Sequence, residues 1–438
     1  MITAERLATL ATRGPRYTSY PPATELSTIV ETEVLTELAR KEPVSLYLHV
    51  PFCKQLCWYC GCNVVPTRDA SRGDRFADVL ATELAILGGR RVEEIAFGGG
   101  SPNFLSPATL QMLVTAIERY FEVSPDARRS VELDPRETTY AHLEMLARLG
   151  FRSLSVGVQD LASKVQDAIH RYQSQRQTRW LIETARYHGF DDLNVDIVYG
   201  LPHQTEESFA TTLDHVIGFA PDRIALFGYA HLPQRFPHQR NVERAGRVLD
   251  QYERATLLLA AIEKLTSAGY LHIGLDHFAK PHSALARAAG ARRMTRTFQG
   301  YVPFRAETIL GAGPSAISSS PRVIWQSHVD LAAWESSIAE ARLPIARGVR
   351  LDRDDQIRAA VITRLMCDGE LDFTTIEREF AIDARTYFAR ELTDLPAELA
   401  SYEHGTLRTT ETGRLLVRNV CMRFDRYLEA GARFSTTI

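Results

Sequence analysis

Between residues 45 and 270 the hydrophobic positions follow two alternating rhythms. Short β-rich runs fall at 46–50, 94–97, 130–133, 153–158, 194–198 and 223–227. Helical patterns lie between or after them, at 74–87, 107–120, 206–217 and 251–268. Such alternation predicts an α/β chain with a parallel sheet and helices outside it. Six β/α units make a partial (β/α)6 barrel, not a closed eight-fold one. Ligands of such sheets bind at the C-terminal ends of the strands.

The flanks break this rhythm. Residues 1–38 read as an N-terminal arm whose firm feature is Arg13, Gly14, Pro15, Arg16, Tyr17, Thr18, Ser19, Tyr20, Pro21, Pro22. Three prolines and a glycine preclude a helix there, so the run is expected to be extended and docked on something. A helical pattern follows at 28–40, ended by Pro43. Residues 39–340 read as the catalytic domain and 341–438 as a small, mostly helical C-terminal domain. In the latter, helices are expected at 352–366 and 375–380, and part of a hairpin at 405–410.

Composition narrows the class. With 438 residues and 45% hydrophobic content the chain can bury a large core. A formal net charge of -3 argues against a protein built mainly to hold nucleic acid. Met1 to Leu10 mixes apolar and charged residues and carries no apolar export core. No stretch is long enough for a bilayer, so a cytoplasmic location and no membrane partner are expected.

The chemistry concentrates in one loop. Four of the six cysteines, Cys53, Cys57, Cys60 and Cys62, fall within ten residues, spaced C-x3-C-x2-C-x-C. Zinc ribbons set two C-x2-C knuckles far apart, and disulfide scaffolds spread their cysteines along the chain. A tight loop of thiolates suits a cuboidal iron–sulfur cluster instead. One β/α unit later, Gly98-Gly99-Gly100-Ser101-Pro102 offers backbone that ligand atoms can approach closely. Glu132, Gln159 and Asp196 stand at or near other strand ends, where a carboxylate needs a donor to accept from. Arg171 is a candidate partner for a carboxylate ligand.

The spacing x3 then x2 resembles that of the radical S-adenosylmethionine (SAM) enzymes. The resemblance narrows to the oxygen-independent coproporphyrinogen III oxidases, on the arm 14–21, His49-Val-Pro-Phe-Cys53, Cys60-Gly-Cys62-Asn63, 131–137, Tyr229-Ala-His-Leu-Pro233, 273–279, Phe298-Gln-Gly-Tyr301 and 418–422. It implies a [4Fe–4S] cluster on Cys53, Cys57 and Cys60, with Cys62 near it but unbound. It implies two SAM molecules per active site. Tyr47, Gly99, Glu132 and Ile317 match positions around the cluster-bound one. Tyr59, Gly100, Ser101, Gln159, Arg171, Asp196 and Ala230 match those around the second. The reaction implied is radical decarboxylation of two propionates of coproporphyrinogen III to vinyl groups, giving protoporphyrinogen IX.

Four propionates call for cations. Arg16 and Arg296 match family positions and join Cys62 and Tyr47 as the residues expected to act in turnover. Arg292, Arg293 and Arg305 lie near Arg296 in sequence, and a solvated face is expected for Arg292 and Arg293. An electron donor and an electron acceptor are expected partners, and the protein is expected to be a monomer. Thr297, Val302-Pro303 and Pro314 depart from the family pattern, all in the last third of the catalytic domain. The rival readings are an enzyme acting on another tetrapyrrole, such as a ring-opening haem methyltransferase, and a haem-binding chaperone. The chaperone branch lacks the fourth cysteine and the arm.

Overall fold

The structure, a computed structural model, describes residues 2–303, 307–428 and 434–438. Twelve strands form its main sheet: β1 (Val44–Val50), β2 (Arg91–Gly99), β3 (Glu122–Leu133), β4 (Ser153–Gln159), β5 (Asp192–Tyr199), β6 (Arg223–Gly228), β7 (Leu271–Gly274), β8 (His277–Ala279), β9 (Ile309–Ala312), β10 (Ile317–Ser319), β11 (Val323–Ser327) and β12 (Ile345–Arg350). Their spatial order is β12-β11-β10-β9-β1-β2-β3-β4-β5-β6-β8-β7. β1 to β6 lie side by side in chain order, all parallel, and form the partial barrel. All six expected strands are there, as β-rich runs whose apolar positions are nearly continuous in β1 and alternate with polar ones in β4 and β5. β1, Val-Ser-Leu-Tyr-Leu-His-Val, is buried at six of its seven positions.

The helices begin where side chains can accept the first free N–H groups. Thr139, Ser174, Thr205 and Asp250 each form a reciprocal capping box with the third helical residue. The expected helices at 107–120 and 251–268 appear as Pro107–Tyr120 and Gln251–Ser267.

Three features go beyond the sequence reading. β9 adds a seventh parallel strand beside β1, and antiparallel strands extend both edges. The sheet continues through β12, past residue 340, since β12 pairs with β11. The C-terminal segment contains a three-stranded sheet, Glu370–Asp372, Thr406–Thr409 and Ala400–Glu403, of which the expected hairpin is part.

The arm is not wholly extended. Its first residues form a helix, Ala4–Leu10, capped by Thr3 and holding Leu7 fully buried. The proline-rich run then crosses the molecule as a strap. Arg13 bridges Thr436, the Gly14 N–H donates to the Ser435 carbonyl at 3.2 Å, and the Thr437 N–H donates to the Thr12 carbonyl at 2.8 Å. Gly14 lies so close to Met422 that a Cβ there would sit 2.2 Å from its sulfur. The buried Arg418 donates to the carbonyls of Gly14, of Pro15 at 2.9 Å and of Thr436 at 2.8 Å. Burial, together with Arg16 and Arg296 nearby, brings its guanidinium down to about 9. Tyr17 donates to Asp425 at 2.9 Å, and Tyr20 accepts the Arg426 N–H at 3.0 Å.

Replacing Arg418 with Leu keeps the volume and removes those donors, leaving buried carbonyls unmet at a cost of about 1–3 kcal/mol each. Trypsin should then cut after Arg13 at least about tenfold faster, since each 1.4 kcal/mol is a factor of about ten in strap opening. An unchanged cleavage rate would mean that the strap is held by other contacts.

Candidate active site

The cysteine loop leaves β1 through Pro51. Phe52 anchors it, packing on Phe76 and Phe104 with ring centroids 5.4 and 5.1 Å away. A short parallel clasp closes it, with Phe52 opposite Val65 and Cys53 opposite Pro66. The Thr67 N–H donates to the Cys53 carbonyl at 2.9 Å. On the far side, Trp58 stacks on His170 at 4.8 Å and its N–H donates to the Ile169 carbonyl at 2.9 Å. The Gln239 amide donates to the carbonyls of Tyr59 at 3.0 Å and Ala230 at 3.2 Å.

The three sulfurs of the C-x3-C-x2-C spacing each have a hydrogen-bonding partner. Cys57 Sγ accepts from Arg171 Nη1 at 3.5 Å and from Arg136 Nη2 at 3.6 Å. Cys60 Sγ accepts from the Cys62 N–H at 3.4 Å, and Cys53 Sγ lies 3.6 Å from the Ser101 hydroxyl. Donors aimed at sulfur suit thiolates that carry a metal cluster, and they tune it. Among the described residues no three His, Cys, Asp or Glu side chains converge tightly enough for a single metal ion. The donor set is soft sulfur beside cations, which fits an iron–sulfur cluster and not an isolated hard ion. All six cysteines are free thiols, and Cys367 and Cys421 are buried away from this loop.

Facing the loop is a cavity of about 660 Å³ at the C-terminal ends of β1 to β6. Fourteen of the candidate site residues line it. These are Cys53, Cys57, Tyr59, Cys60 and Cys62 from the loop, with Gly99, Gly100, Ser101, Glu132, Gln159, Arg171, Asp196, Ala230 and, from the arm, Arg16. The glycine run is needed sterically. Gly99 has φ +109°, and a Cβ on Gly100 would lie 2.7 Å from the Pro51 and Phe52 carbonyl oxygens. Gln159 holds φ +67°, an unusual conformation for a residue with a side chain.

Tyr47 and Ile317 are not brought to the cavity wall. Tyr47 is buried behind it, 3.2 Å from His49 Nδ1 and edge-on to Phe298 at 4.6 Å. Ile317 packs instead against Leu26, Ile324 and Leu351. Arg296 lines a second, inner cavity of about 290 Å³, which shares Arg16, Glu132, Ser155 and Asp196 with the outer one. Asp276 gathers the charges at this junction. Arg16 and Arg296 each approach it to 3.7 Å, and His277 Nδ1 lies 2.6 Å from it. Burial would raise its carboxyl, but His277 and Arg296 outweigh that and hold it far below the usual carboxylate range. Arg292 is exposed and paired with Glu370 at 2.9 Å, and Arg293 is exposed. Arg305 lies outside the described residues.

Sequence reasoning missed several site residues. Asp134 binds Arg136 at 2.6 Å and Arg171 at 3.4 Å. Burial opposes its ionisation, yet these arginines bring its carboxyl down to about 2. Ser155, Asn194 and His277 line the inner cavity. The signal for the first was available: β4 reads Ser-Leu-Ser-Val-Gly-Val-Gln, polar or small at every second place. Glu132 is exposed to the cavity, yet it lies deep among protein atoms. That setting, with the Asp196 charge nearby, pushes its carboxyl up to about 7.

Residues 47–216 match the Radical SAM superfamily. With the partial barrel and the cysteine loop at its mouth, the chain is a radical SAM protein, a class whose cofactors are a [4Fe–4S] cluster and SAM. Residues 351–416 match the HemN C-terminal domain. The chain is 39% identical to the oxygen-independent coproporphyrinogen III oxidase of Pseudomonas aeruginosa, over 97% of this chain and 96% of that protein. Against the enzyme of the same name from Escherichia coli the figures are 40%, 96% and 94%. The solved structure of coproporphyrinogen III oxidase (HemN) from Escherichia coli superposes with a TM-score of 0.91, at 39% identity, covering 94% of this chain and 98% of that one. The chain belongs to the oxygen-independent coproporphyrinogen III oxidase family.

Glu132 gives a pH test. Its folded carboxyl titrates near 7, against about 4.3 in an unfolded chain. Between those values only the folded state holds the proton, so this group's contribution to stability falls as pH rises through that window. In the cofactor-free protein, Glu132→Gln should therefore reduce the drop in Tm between pH 5 and pH 8. A slope identical to that of the unaltered chain would place the cost on other buried acids.

Proposed function

We infer that this protein carries out the oxygen-independent conversion of coproporphyrinogen III to protoporphyrinogen IX, turning two propionate side chains into vinyl groups in haem biosynthesis. The observation that carries it is the junction of the two cavities. A donor-supplied sulfur loop opens on one side, and the cations Arg16 and Arg296 grouped at Asp276 stand on the other. When bound, the cluster and SAM supply a 5′-deoxyadenosyl radical that removes a hydrogen atom from the propionate β-carbon.

The chain's own residues prepare the rest. Cys53, Cys57 and Cys60 are the proposed cluster ligands. What supports this choice is that their sulfurs face hydrogen-bond donors, whereas Cys62 donates its N–H to Cys60. Cys62, left free beside the cluster, is assigned to turnover. Gly99 and Glu132 are proposed to hold the first SAM, with Tyr47 supporting that wall from behind. A second SAM is proposed on Tyr59, Gly100, Ser101, Gln159, Arg171, Asp196 and Ala230, and the support is that all seven line one cavity. Ile317 lines neither cavity.

Arg16 and Arg296 are proposed as propionate partners. Each is tied to Asp276 but not consumed by it, because 3.7 Å is beyond hydrogen-bond reach. Gly14, Arg16 and Thr18 put the arm in the wall of the outer cavity. There it would exclude water and bystander groups from the reacting centre. An electron donor and an electron acceptor are required by the stoichiometry. The expectations of a monomer and of a cytoplasmic location stand as part of this reading. No helix among the described residues is long and apolar enough to cross a membrane.

The direct test is anaerobic incubation with SAM, a reductant and coproporphyrinogen III, read by product mass. The expected product is lighter by the elements of two formic acid molecules, and an unchanged or methylated tetrapyrrole would refute the assignment. In the same assay Arg296→Ala should weaken substrate binding about tenfold or more while SAM binding is unaltered.

The cysteines are tested separately. Cys53→Ser, Cys57→Ser and Cys60→Ser should each abolish the cluster's visible absorption and SAM cleavage, while Cys62→Ser keeps the absorption and slows turnover. Loss of the cluster in Cys62→Ser, or its retention in Cys57→Ser, would reassign the ligand set.

A further inference from the structure

The three sulfurs of the C-x3-C-x2-C spacing are not equally supplied. Cys53 Sγ meets a neutral hydroxyl, that of Ser101, and Cys60 Sγ a backbone N–H. Of the three, only Cys57 Sγ faces guanidinium groups, Arg136 Nη2 at 3.6 Å and Arg171 Nη1 at 3.5 Å. Both arginine side chains are buried, 12% and 7% exposed, so dissolved salt screens little of their charge.

The two arginines are tied down differently. Arg171 spreads its donors over Cys57, Asp134, Gln173 and the Gly157 carbonyl, and it is the one assigned above to SAM. Arg136 directs its donors at two groups. Its Nε lies 3.0 and 3.1 Å from the two oxygens of Asp134, and its Nη2 lies 2.6 Å from Oδ2. Its backbone N–H adds a bond to the same carboxylate at 2.9 Å. Asp134 is itself clamped: its N–H donates to Asn103 Oδ1 at 3.2 Å, and its carbonyl accepts from Asn103 Nδ2 at 2.9 Å. The Arg136 guanidinium is thus held in one placement, with Nη2 shared between Asp134 and the sulfur.

Fold stability does not account for this arginine. Asp134 already has a cation in Arg171, and Arg136 Nη1 is buried with no acceptor among the described residues. A buried donor left unmet costs the folded state. The group that gains from the charge is the sulfur, and through it the metal centre that the sulfur carries.

We propose that Arg136 is a positioning residue for electron uptake: fixed by Asp134, it holds a positive charge at Cys57 and raises the reduction potential of the iron–sulfur cluster. Reduction adds one negative charge to a centre held by three thiolates. A fixed cation and a hydrogen bond to sulfur therefore both favour the reduced form. Arg171 is shared with a ligand in the outer cavity, whereas Arg136 acts whether or not that ligand is bound. This rests on the cluster reading above and names the residue that sets the cluster's potential.

The test is a redox titration of the anaerobic, cluster-loaded protein without SAM, using dithionite, mediator dyes and the electron paramagnetic resonance of the reduced cluster. Iron and sulfide are measured first on every protein. Arg136→Gln should keep the cluster and lower its midpoint potential by about 59 mV or more, which is tenfold in a one-electron equilibrium. Ser101→Ala, which removes a neutral donor from Cys53, should lower it by less than half as much. Arg136→Met takes the place of the glutamine variant if that one loads no iron, with the same sign and size expected. SAM affinity, read by equilibrium dialysis, should be unaltered in the Arg136 variant.

An unchanged potential, or a shift no larger than that of Ser101→Ala, would overturn the assignment. Loss of iron from both neutral variants would overturn it too, by making Arg136 a requirement of cluster assembly. So would a tenfold loss of SAM affinity, which would make Arg136 a ligand contact. An unaltered protein that takes up no cluster would refute the cluster reading itself, so the two failures are told apart.

Discussion

A sulfur loop carrying negative charge can be packed against a barrel only if positive charge is buried with it. Here that charge comes from Arg171 and Arg136, which share one carboxylate, Asp134, and both reach Cys57 Sγ. Two guanidiniums against one carboxylate leave a net positive charge directed at the sulfur. The same Arg171 donates to the Gly157 carbonyl at 2.6 Å and from Nε to Gln173 at 3.1 Å, so it also fixes the end of β4. Burying such a group is costly unless every donor finds an acceptor. Gly157, Gln173, Cys57 and Asp134 together meet that need for Arg171.

The arm and the far end of the chain then complete the mouth. Neither the 12–22 run nor the 434–438 segment has a core of its own. They hold each other through backbone pairing, with Arg418 as a shared donor beneath them. This arrangement ties the wall of the outer cavity to the C-terminal segment, far away in sequence.

Much of this was legible beforehand, for physical reasons. A strand buried on both faces, such as β1, announces itself by its mostly apolar run, and cysteines bunched within one loop have few chemical uses. What escaped was whatever depends on partners distant in sequence. The helix Ala4–Leu10 is held by its packing on Gln251–Ser267 more than by any pattern of its own. The strands at the sheet edges, β7 to β12, are mostly three to five residues long and take their form from their neighbours. Ile317 sits beside the right strand but faces Leu26 and Leu351, a matter of one strand face against the other. The inner cavity comes from polar positions two apart on β4 and β5, of which only Asp196 stands out in the sequence. They become a chamber only when the strands lie side by side.

The shared use of Asp276 has a further consequence. Arg16 belongs to the arm and Arg296 to the barrel edge, yet both are held by the same carboxylate, and Arg296 also bonds the Arg16 backbone. Residues that share a partner do not contribute independent free energies. The docking of the arm and the placement of Arg296 are therefore coupled, and whatever coupling free energy joins them is the same read from either side.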